Sequence, residues 1–372
     1  MKNGILFLFL IISNLSFSQY INSAPWMQKL EASRNLNPTI DEQVAAFKEF
    51  WLTNDRNQRG SGFKPFMRWE NHWRNKTNPQ GFQITPQEMW DVFNYKKASK
   101  NNRSASVPNS IWEPVGPFTH TNSGSWSSGQ GRVNVVYVDP SNENTIYIGT
   151  PAGGIWKSTT AGTSWTALSD NLPQIGVSGI AVDPNNSNII YIATGDCDGG
   201  DSYSVGVLKS IDGGLSWNTT GLSFTNTNTF SGDILINPSD SNSILVATTN
   251  GIYRSTDAGT SWINVRTGDF SQGRIRFKPN NPNVVYAVSS DRFCRSTNAG
   301  GSFTTVTTGL PIASSRMLLD VTPAEENYVF ILSAKTDGGF QGVYKSINGG
   351  DSFTATNTTT NIFESPQSGY DL

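Results

Sequence analysis

Ser255-Thr256-Asp257-Ala258-Gly259-Thr260-Ser261-Trp262 is the stretch around which the chain is laid out, because four more octapeptides repeat its spacing. They are Ser158-Thr159-Thr160-Ala161-Gly162-Thr163-Ser164-Trp165, Ser210-Ile211-Asp212-Gly213-Gly214-Leu215-Ser216-Trp217, Ser296-Thr297-Asn298-Ala299-Gly300-Gly301-Ser302-Phe303 and Ser346-Ile347-Asn348-Gly349-Gly350-Asp351-Ser352-Phe353. Their first serines recur every roughly 40 to 50 residues, the mark of a repeat architecture. The residue types of one copy have a physical purpose. An Asp or Asn side-chain oxygen accepts nearby backbone N–H groups, and the glycine two places on takes a positive φ without a Cβ clash. The hydroxyls bond the same turn, while the closing aromatic opens the next strand and can pin the hairpin to a neighbouring sheet. Asp212, Gly214 and Trp217 form one complete set, and Asp257, Gly259 and Trp262 another. Asn298 with Gly300 and Asn348 with Gly350 keep the turn chemistry and close on phenylalanine, whereas Thr160 weakens it.

A basic residue precedes every corner: Lys157, Lys209, Arg254, Arg295 and Lys345, each after an apolar pair such as Ile155-Trp156 or Ile252-Tyr253. Further upstream an apolar run ends in a proline turn, as in Val135 to Pro140 or Ile180 to Pro184, and Asn-rich residues lead into a second strand. With the strands on either side of the corner, this grammar gives four strands per repeat, one propeller blade. The expected fold is therefore all-β, a β-propeller with five blades complete by about residue 356 and a sixth opened by Ser368-Gly369-Tyr370-Asp371-Leu372. An open ring leaves strand edges unpaired, so residues 111–118 are read as an outer strand that closes it. A seven-bladed ring needs roughly two more repeats, so residues 111–372 are expected to be a propeller truncated at its C-terminus, with further domains beyond. A closed five-bladed ring is the alternative, which pairing of 111–118 with the fifth blade would mark.

The pattern S-x-D-x-G-x-S/T-W resembles the Asp-box or BNR repeat of sialidases, xyloglucanase-type glycoside hydrolases, sortilin-like receptor domains and photosystem assembly factors. The resemblance covers residues 111 to 372 and implies a β-propeller whose boxes sit on the blade periphery, away from a central ligand site. It therefore speaks for fold rather than for activity. The xyloglucanase likeness is best around Gly131-Arg132-Val133 and Gly153 to Ser158, residues of the shared scaffold. Helical leaders with a segment like Arg68-Trp69-Glu70 precede such repeats in secreted proteins of gliding, Bacteroidetes-type bacteria, which the chain resembles in this respect. Those proteins often carry a C-terminal sorting tail for type IX export; none is visible in this sequence.

The first 18 residues combine Lys2, the apolar run from Ile5 to Ile12 and small residues near Ser16 and Ser18, the layout of a cleaved secretory signal. An extracellular or cell-surface location follows as an expectation, and no later run reaches transmembrane length. Residues 19–100 carry helical signals. Thr39 and Glu42 form a capping box ahead of Val44, Phe47, Phe50 and Trp51, predicting a helix over 40–53. Thr85, Pro86 and Glu88 open a second over 86–99, with Met89, Val92, Phe93 and Lys96 as its face. Between them the aromatics from Phe63 to Trp73, with Lys64, Arg68 and Arg74, suggest a short helix whose rings pack rather than bind. This helical N-terminal arm is followed by a linker at 101–110.

Only 15% of residues are charged and the net charge is −2, which leaves no electrostatic footprint for nucleic acid. His72 and His120 are the only histidines, too few for a His-rich metal centre or a ready Ser-His-Asp triad. Cys197 and Cys294 lie in separate repeats and are expected to remain free. The acidic loop Gly195 to Ser202 places Asp196, Asp198 and Asp201 among glycines, a weak candidate for Ca²⁺ set against a plain solvated loop. The same three acids with Tyr203 and Trp126 are candidate ligand-binding residues, and Asp196→Ala is expected to leave the chain folded. A glycoside hydrolase needs two carboxylates at a fixed separation across a cleft, and no acid is singled out by a partner motif; the arginines look dispersed. The expected role is a non-catalytic module that binds a protein or a polysaccharide without a cofactor. A xyloglucanase-like glycoside hydrolase is the alternative.

Overall fold

The computed structural model describes residues 24–28, 30, 37–57, 61–101, 131–173, 176–198, 200, 202–224 and 229–363. The signal at 1–18, the linker from residue 102, the closing strand at 111–118 and the sixth-blade strand at 368–372 lie outside the described residues, as do Trp126 and Asp201. Two compact units divide between Thr85 and Pro86.

The first unit holds helices α1 (Ile40–Phe50) and α2 (Phe63–Trp73). Thr39 caps α1 reciprocally: its hydroxyl oxygen accepts from Glu42 N, and Glu42 accepts from Thr39 N at 2.7 Å. This satisfies two helix-end donors that would otherwise face water. The aromatics form the core, with Phe47 stacked on Phe66 at 3.9 Å and Trp26 edge-on to both. Lys64 and Arg68 are exposed, outside that core.

The second unit begins with α3 (Pro86–Asn101). Its expected apolar face is corrected by the structure: Val92 is exposed, and Trp90 instead joins a core with Tyr147, Ile155 and Ile190. The 86–101 segment therefore groups with the sheets, although its composition resembles the arm. Twenty strands follow among the described residues. The first sheet is β1 (Val135–Val138), β2 (Ile146–Gly149), β3 (Ile155–Ser158) and β4 (Thr166–Ala167); the second is β5 (Val177–Asp183), β6 (Asn186–Thr194), β7 (Val207–Ser210) and β8 (Asn218–Thr219). The third is β9 (Ser231–Asn237), β10 (Asp240–Thr248), β11 (Gly251–Ser255) and β12 (Ile263–Thr267). The fourth is β13 (Ile275–Lys278), β14 (Asn281–Val288), β15 (Phe293–Ser296) and β16 (Thr304–Val306). The fifth is β17 (Arg316–Val321), β18 (Val329–Ala334), β19 (Phe340–Ser346) and β20 (Thr354–Asn357).

Every sheet is an antiparallel meander in chain order, and the first strands of successive sheets adjoin: β1 with β5, β5 with β9, β9 with β13, β13 with β17. The apolar cores lie between neighbouring sheets rather than within one. Ile180 and Tyr147 share a cluster across sheets one and two, Tyr191 and Val246 across two and three, Leu245 and Val285 across three and four, and Phe293 and Leu319 across four and five. Sheets packed face to face with their first strands turned to a common axis are the blades of a β-propeller.

The recurring corners link each sheet to the one before. In the third sheet Asp257 accepts from Ser255 Oγ, Ser261 N and Ser261 Oγ, and Ser255 Oγ accepts from Gly259 N at 2.9 Å. Asn298 repeats this with its amide nitrogen donating to Ser302 Oγ, as Asn348 does to Ser352 Oγ. Thr160 still accepts from Ser164 N at 3.0 Å. The residue before the corner glycine, always Ala or Gly, is also left-handed: φ is +56° at Ala258 and +75° at Gly213. Its N–H docks on the carbonyl of an asparagine in, or just ahead of, the first residues of the sheet's second strand, Asn144, Asn188, Asn242, Asn283 or Asn327.

A Cβ placed on Gly300 would lie 2.7 Å from Leu245 of the third sheet, so the corner of the fourth sheet fits only because its glycine is bare. Trp217 reaches back to donate its indole N–H to Leu168 O of the first sheet, and Phe353 packs edge-on to Phe293 at 4.9 Å. In four sheets the basic residue ahead of the corner sits directly across from a ring of the second strand, Lys157 opposite Tyr147, Lys209 opposite Tyr191, Arg295 opposite Tyr286 and Lys345 opposite Phe330, with the ammonium 5.2 Å from the ring centre in the first two; in the third sheet Arg254 faces Leu245.

Candidate functional site

The first strands leave a cavity of about 640 Å³ along the axis, walled by Val135, Tyr137, Ile180, Val182, Ile234, Leu235 and Phe277. Its polar wall is Asn134, Asp233, Arg274 and Arg276. At one end the strands close in. A Cβ on Gly179 would lie 2.3 Å from Gly232 O, and one on Gly232 would lie 2.0 Å from Ser271 O, so neighbouring backbones touch where glycine permits it. A smaller polar recess continues there, lined by Ser178, Cys197, Asp198, Gln272, Arg274 and Arg316, and it shares Asn134, Asp233 and Arg274 with the larger cavity.

The acidic loop between β6 and β7 forms a strap over this narrow end. Asp196 is fully buried: its carboxylate accepts from Arg132 at 2.5 Å and from Asn134 Nδ2 at 3.1 Å, both ahead of β1. Asp198 accepts from Arg316 of β17 at 2.9 Å, Gln272 Nε2 donates to Cys197 O, Ser202 donates to Pro151 O, and Ser204 shares a hydrogen bond with Ser231. One loop of the second sheet thus holds residues of the first, third, fourth and fifth. A second relay lies beside it. Asp233 accepts from Ile275 N and, at 2.6 Å, from Arg276, whose Nε donates to Asp320 at 3.2 Å.

These bonds decide what the acids can do. Asp196, Asp198 and Asp233 are engaged by arginine donors, so presenting one to a glycosidic oxygen or a cation would break a partly buried ion pair. Asp196 and Asp198 are therefore assigned to the strap rather than to a calcium shell, and among the described residues no group of three His, Cys, Asp or Glu side chains converges on a metal position. Asp196→Ala, expected from sequence to leave the chain folded, would remove this carboxylate from Arg132 and an acceptor from Asn134, so a loss of stability is expected of it. Of the arginines that look dispersed in sequence, Arg274, Arg276 and Arg316 are gathered on the walls of the two cavities, and Arg132 holds Asp196 of the strap. Tyr203 is half-buried and lines neither cavity.

Asp139, just past β1, and Asp183, which ends β5, accept hydrogen bonds from Ser141 N and Asn185 N and so brace hairpins. Cys197 and Cys294 are free thiols. Burial, with Asp198 beside it, pushes the Cys197 thiol up to about 12, far from the thiolate a nucleophile requires. Sequence reasoning misses Arg274 and Asn134; the signal available is that each stands just before a first strand, outside the repeated octapeptide, while Asp233, legible in sequence only as an acid near a loop, is the third residue of β9.

Five meandering sheets about an axial cavity define the class: a β-propeller with a central recess of ligand size. No family model and no curated protein matches the chain. Among solved structures it is similar to a GH74 enzyme of Niastella koreensis, 24% identical over 60% of this chain and 38% of that one, with a TM-score of 0.49. An ancestral GH74 enzyme is 26% identical over 61% of this chain and 32% of its own, with a TM-score of 0.45. YCF48 bound to D1 peptide is 15% identical over 63% of this chain and 86% of its own, with a TM-score of 0.38. The chain thus spans about a third of the length of the two GH74 enzymes. No helix among the described residues is long and apolar enough to cross a membrane.

Proposed function

We propose that the chain is an exported, extracellular or cell-surface propeller of the Asp-box (BNR) type that holds a polysaccharide or protein segment in its axial recess without cutting it. The observation that carries this reading is the contrast within the recess. A cavity of about 640 Å³ offers an apolar wall with rings and planar polar groups, as binding pockets do, while its buried acids are engaged by arginines. The resemblance to secreted Bacteroidetes-type proteins and the signal-like N-terminus favour export.

Incubating the full chain with β-glucans and sialyl-glycosides separates binding from hydrolysis. Retardation of a glycan in affinity electrophoresis with no new reducing ends is the expected result. Release of reducing ends that disappears in Asp233→Asn would replace it with the glycoside hydrolase reading.

A further inference from the structure

Two polar groups of the recess remain unused after the strap and the relay have taken their partners. Asn134 donates through Nδ2 to Asp196, which leaves its Oδ1 buried and without a donor. Arg274 lines both the large cavity and the polar recess, yet its guanidinium makes no hydrogen bond or ion pair among the described residues, whereas Arg132, Arg276 and Arg316 each hold a carboxylate. Asn134 Oδ1 is sealed from the cavity, so what the cavity offers is one uncommitted guanidinium beside acids already held by other arginines, which is matched to a ligand bearing an anion. Arginine's planar fork accommodates a carboxylate through two parallel hydrogen bonds, and partial removal from water strengthens them.

The walls select among carboxylate ligands. An added peptide strand needs an open strand edge, but at this end the first strands are already backbone to backbone at Gly179, Gly232 and Ser271. Recognition is left to side chains. Tyr137 and Phe277 supply rings for the C–H face of a sugar, and Arg274 supplies a planar cation for its carboxylate. The phenol of Tyr137 stays protonated, since burial and then Asp139 push it up to about 12, so it adds no competing negative charge.

We infer that the axial recess is a subsite for an acidic sugar, a uronate residue of a polysaccharide, with its carboxylate on Arg274. This rests on the binding reading above and narrows it to a charged glycan. Calorimetric titration of the full chain with an oligouronate, its methyl ester and a neutral oligoglucan, in wild type and in Arg274→Gln and Arg274→Lys, tests it. The expected pattern is binding of the acid, a loss of about tenfold or more for the ester and for Arg274→Gln, partial retention in Arg274→Lys, weakening in high salt, and an unchanged melting temperature.

Equal binding of acid and ester, indifferent to Arg274→Gln, would overturn the uronate subsite and leave the binding role standing. Binding of peptides with a free C-terminal carboxylate in place of any saccharide would overturn the ligand class. If nothing binds to the folded chain, both readings fall. Should Arg274→Gln unfold, the comparison of acid with ester on the wild type and on Arg274→Lys decides the same question.

Discussion

The rim and the axis of the propeller are built from similar residues to opposite ends. At the rim five corners solve one geometric problem in one way: a serine hydroxyl accepts from the glycine N–H, an Asp, Asn or Thr oxygen accepts from the next serine, and the whole corner docks on an asparagine carbonyl. At the axis each sheet brings something different: Arg132 from the first, Asp196 and Asp198 from the second, Asp233 from the third, Arg274 and Arg276 from the fourth, Arg316 from the fifth. Rim bonds are local and partly exposed, whereas axis bonds join residues as much as 118 positions apart. The repeated part of the sequence therefore specifies scaffold, and the individuality of the molecule is concentrated where the repeat lapses.

This contrast is open to measurement. The largest effect is expected at the axis, where Asp196→Ala takes this carboxylate from Arg132 and removes a bond from Asn134; breaking a buried pair costs about 3–5 kcal/mol, read as a fall in the denaturant midpoint. Next comes Gly300→Val. With φ at +79° and Leu245 in the space its Cβ would take, a loss of about 2 kcal/mol is expected in the same melts. A larger loss here than for Asp196→Ala would invert the ranking of the two regions.

Smaller still is a paired test of the rings beneath the corners. Tyr191 donates to Ala258 O at 2.9 Å, so Tyr191→Phe should cost about 1 kcal/mol in the denaturant midpoint. The buried hydroxyl of Tyr286 has no partner, and Tyr286→Phe should cost nothing.

The smallest effect is expected in acid. Hydrogen bonds from Ser216 and from Ser261 hold the carboxyls of Asp212 and Asp257 down at about 2. Because the folded values lie below those of the unfolded chain, the contribution is complete above about pH 4 and is lost as pH falls towards 2. The double variant Asp212→Asn with Asp257→Asn should flatten that acid limb in a plot of melting temperature against pH while changing little at neutrality, since Asn298 and Asn348 already close their corners in this way.

The rim is legible in the sequence because its chemistry is local. Asp257, Gly259 and Trp262 lie within six positions of one another and recur, so spacing alone exposes the turn and, through it, the four-stranded blade. Two rim features escape such reading although each occurs five times over: the left-handed Ala or Gly before the corner glycine, and the asparagine whose carbonyl receives it. Both act through the backbone, which side-chain motifs do not advertise. The basic residue ahead of the corner stands out in the sequence, but its purpose depends on a cross-strand register that only pairing reveals. At the axis, the acidic loop is visible in the chain and its partners are not. Nothing near Asp198 names Arg316, and the carboxylates that look available to a cation are already neutralised by arginines from other sheets. The burial of Trp90 in place of Val92 on α3 has the same origin, since which side of a helix is apolar depends on what it meets.

Repeats that touch only their neighbours can fray one at a time from an end. The Asp198–Arg316 bond fastens the second repeat to the fifth, skipping two, so detaching either one also disturbs the other. That cross-tie favours a single cooperative melting event over stepwise loss, and a ligand seated beneath it would find its pocket either whole or gone.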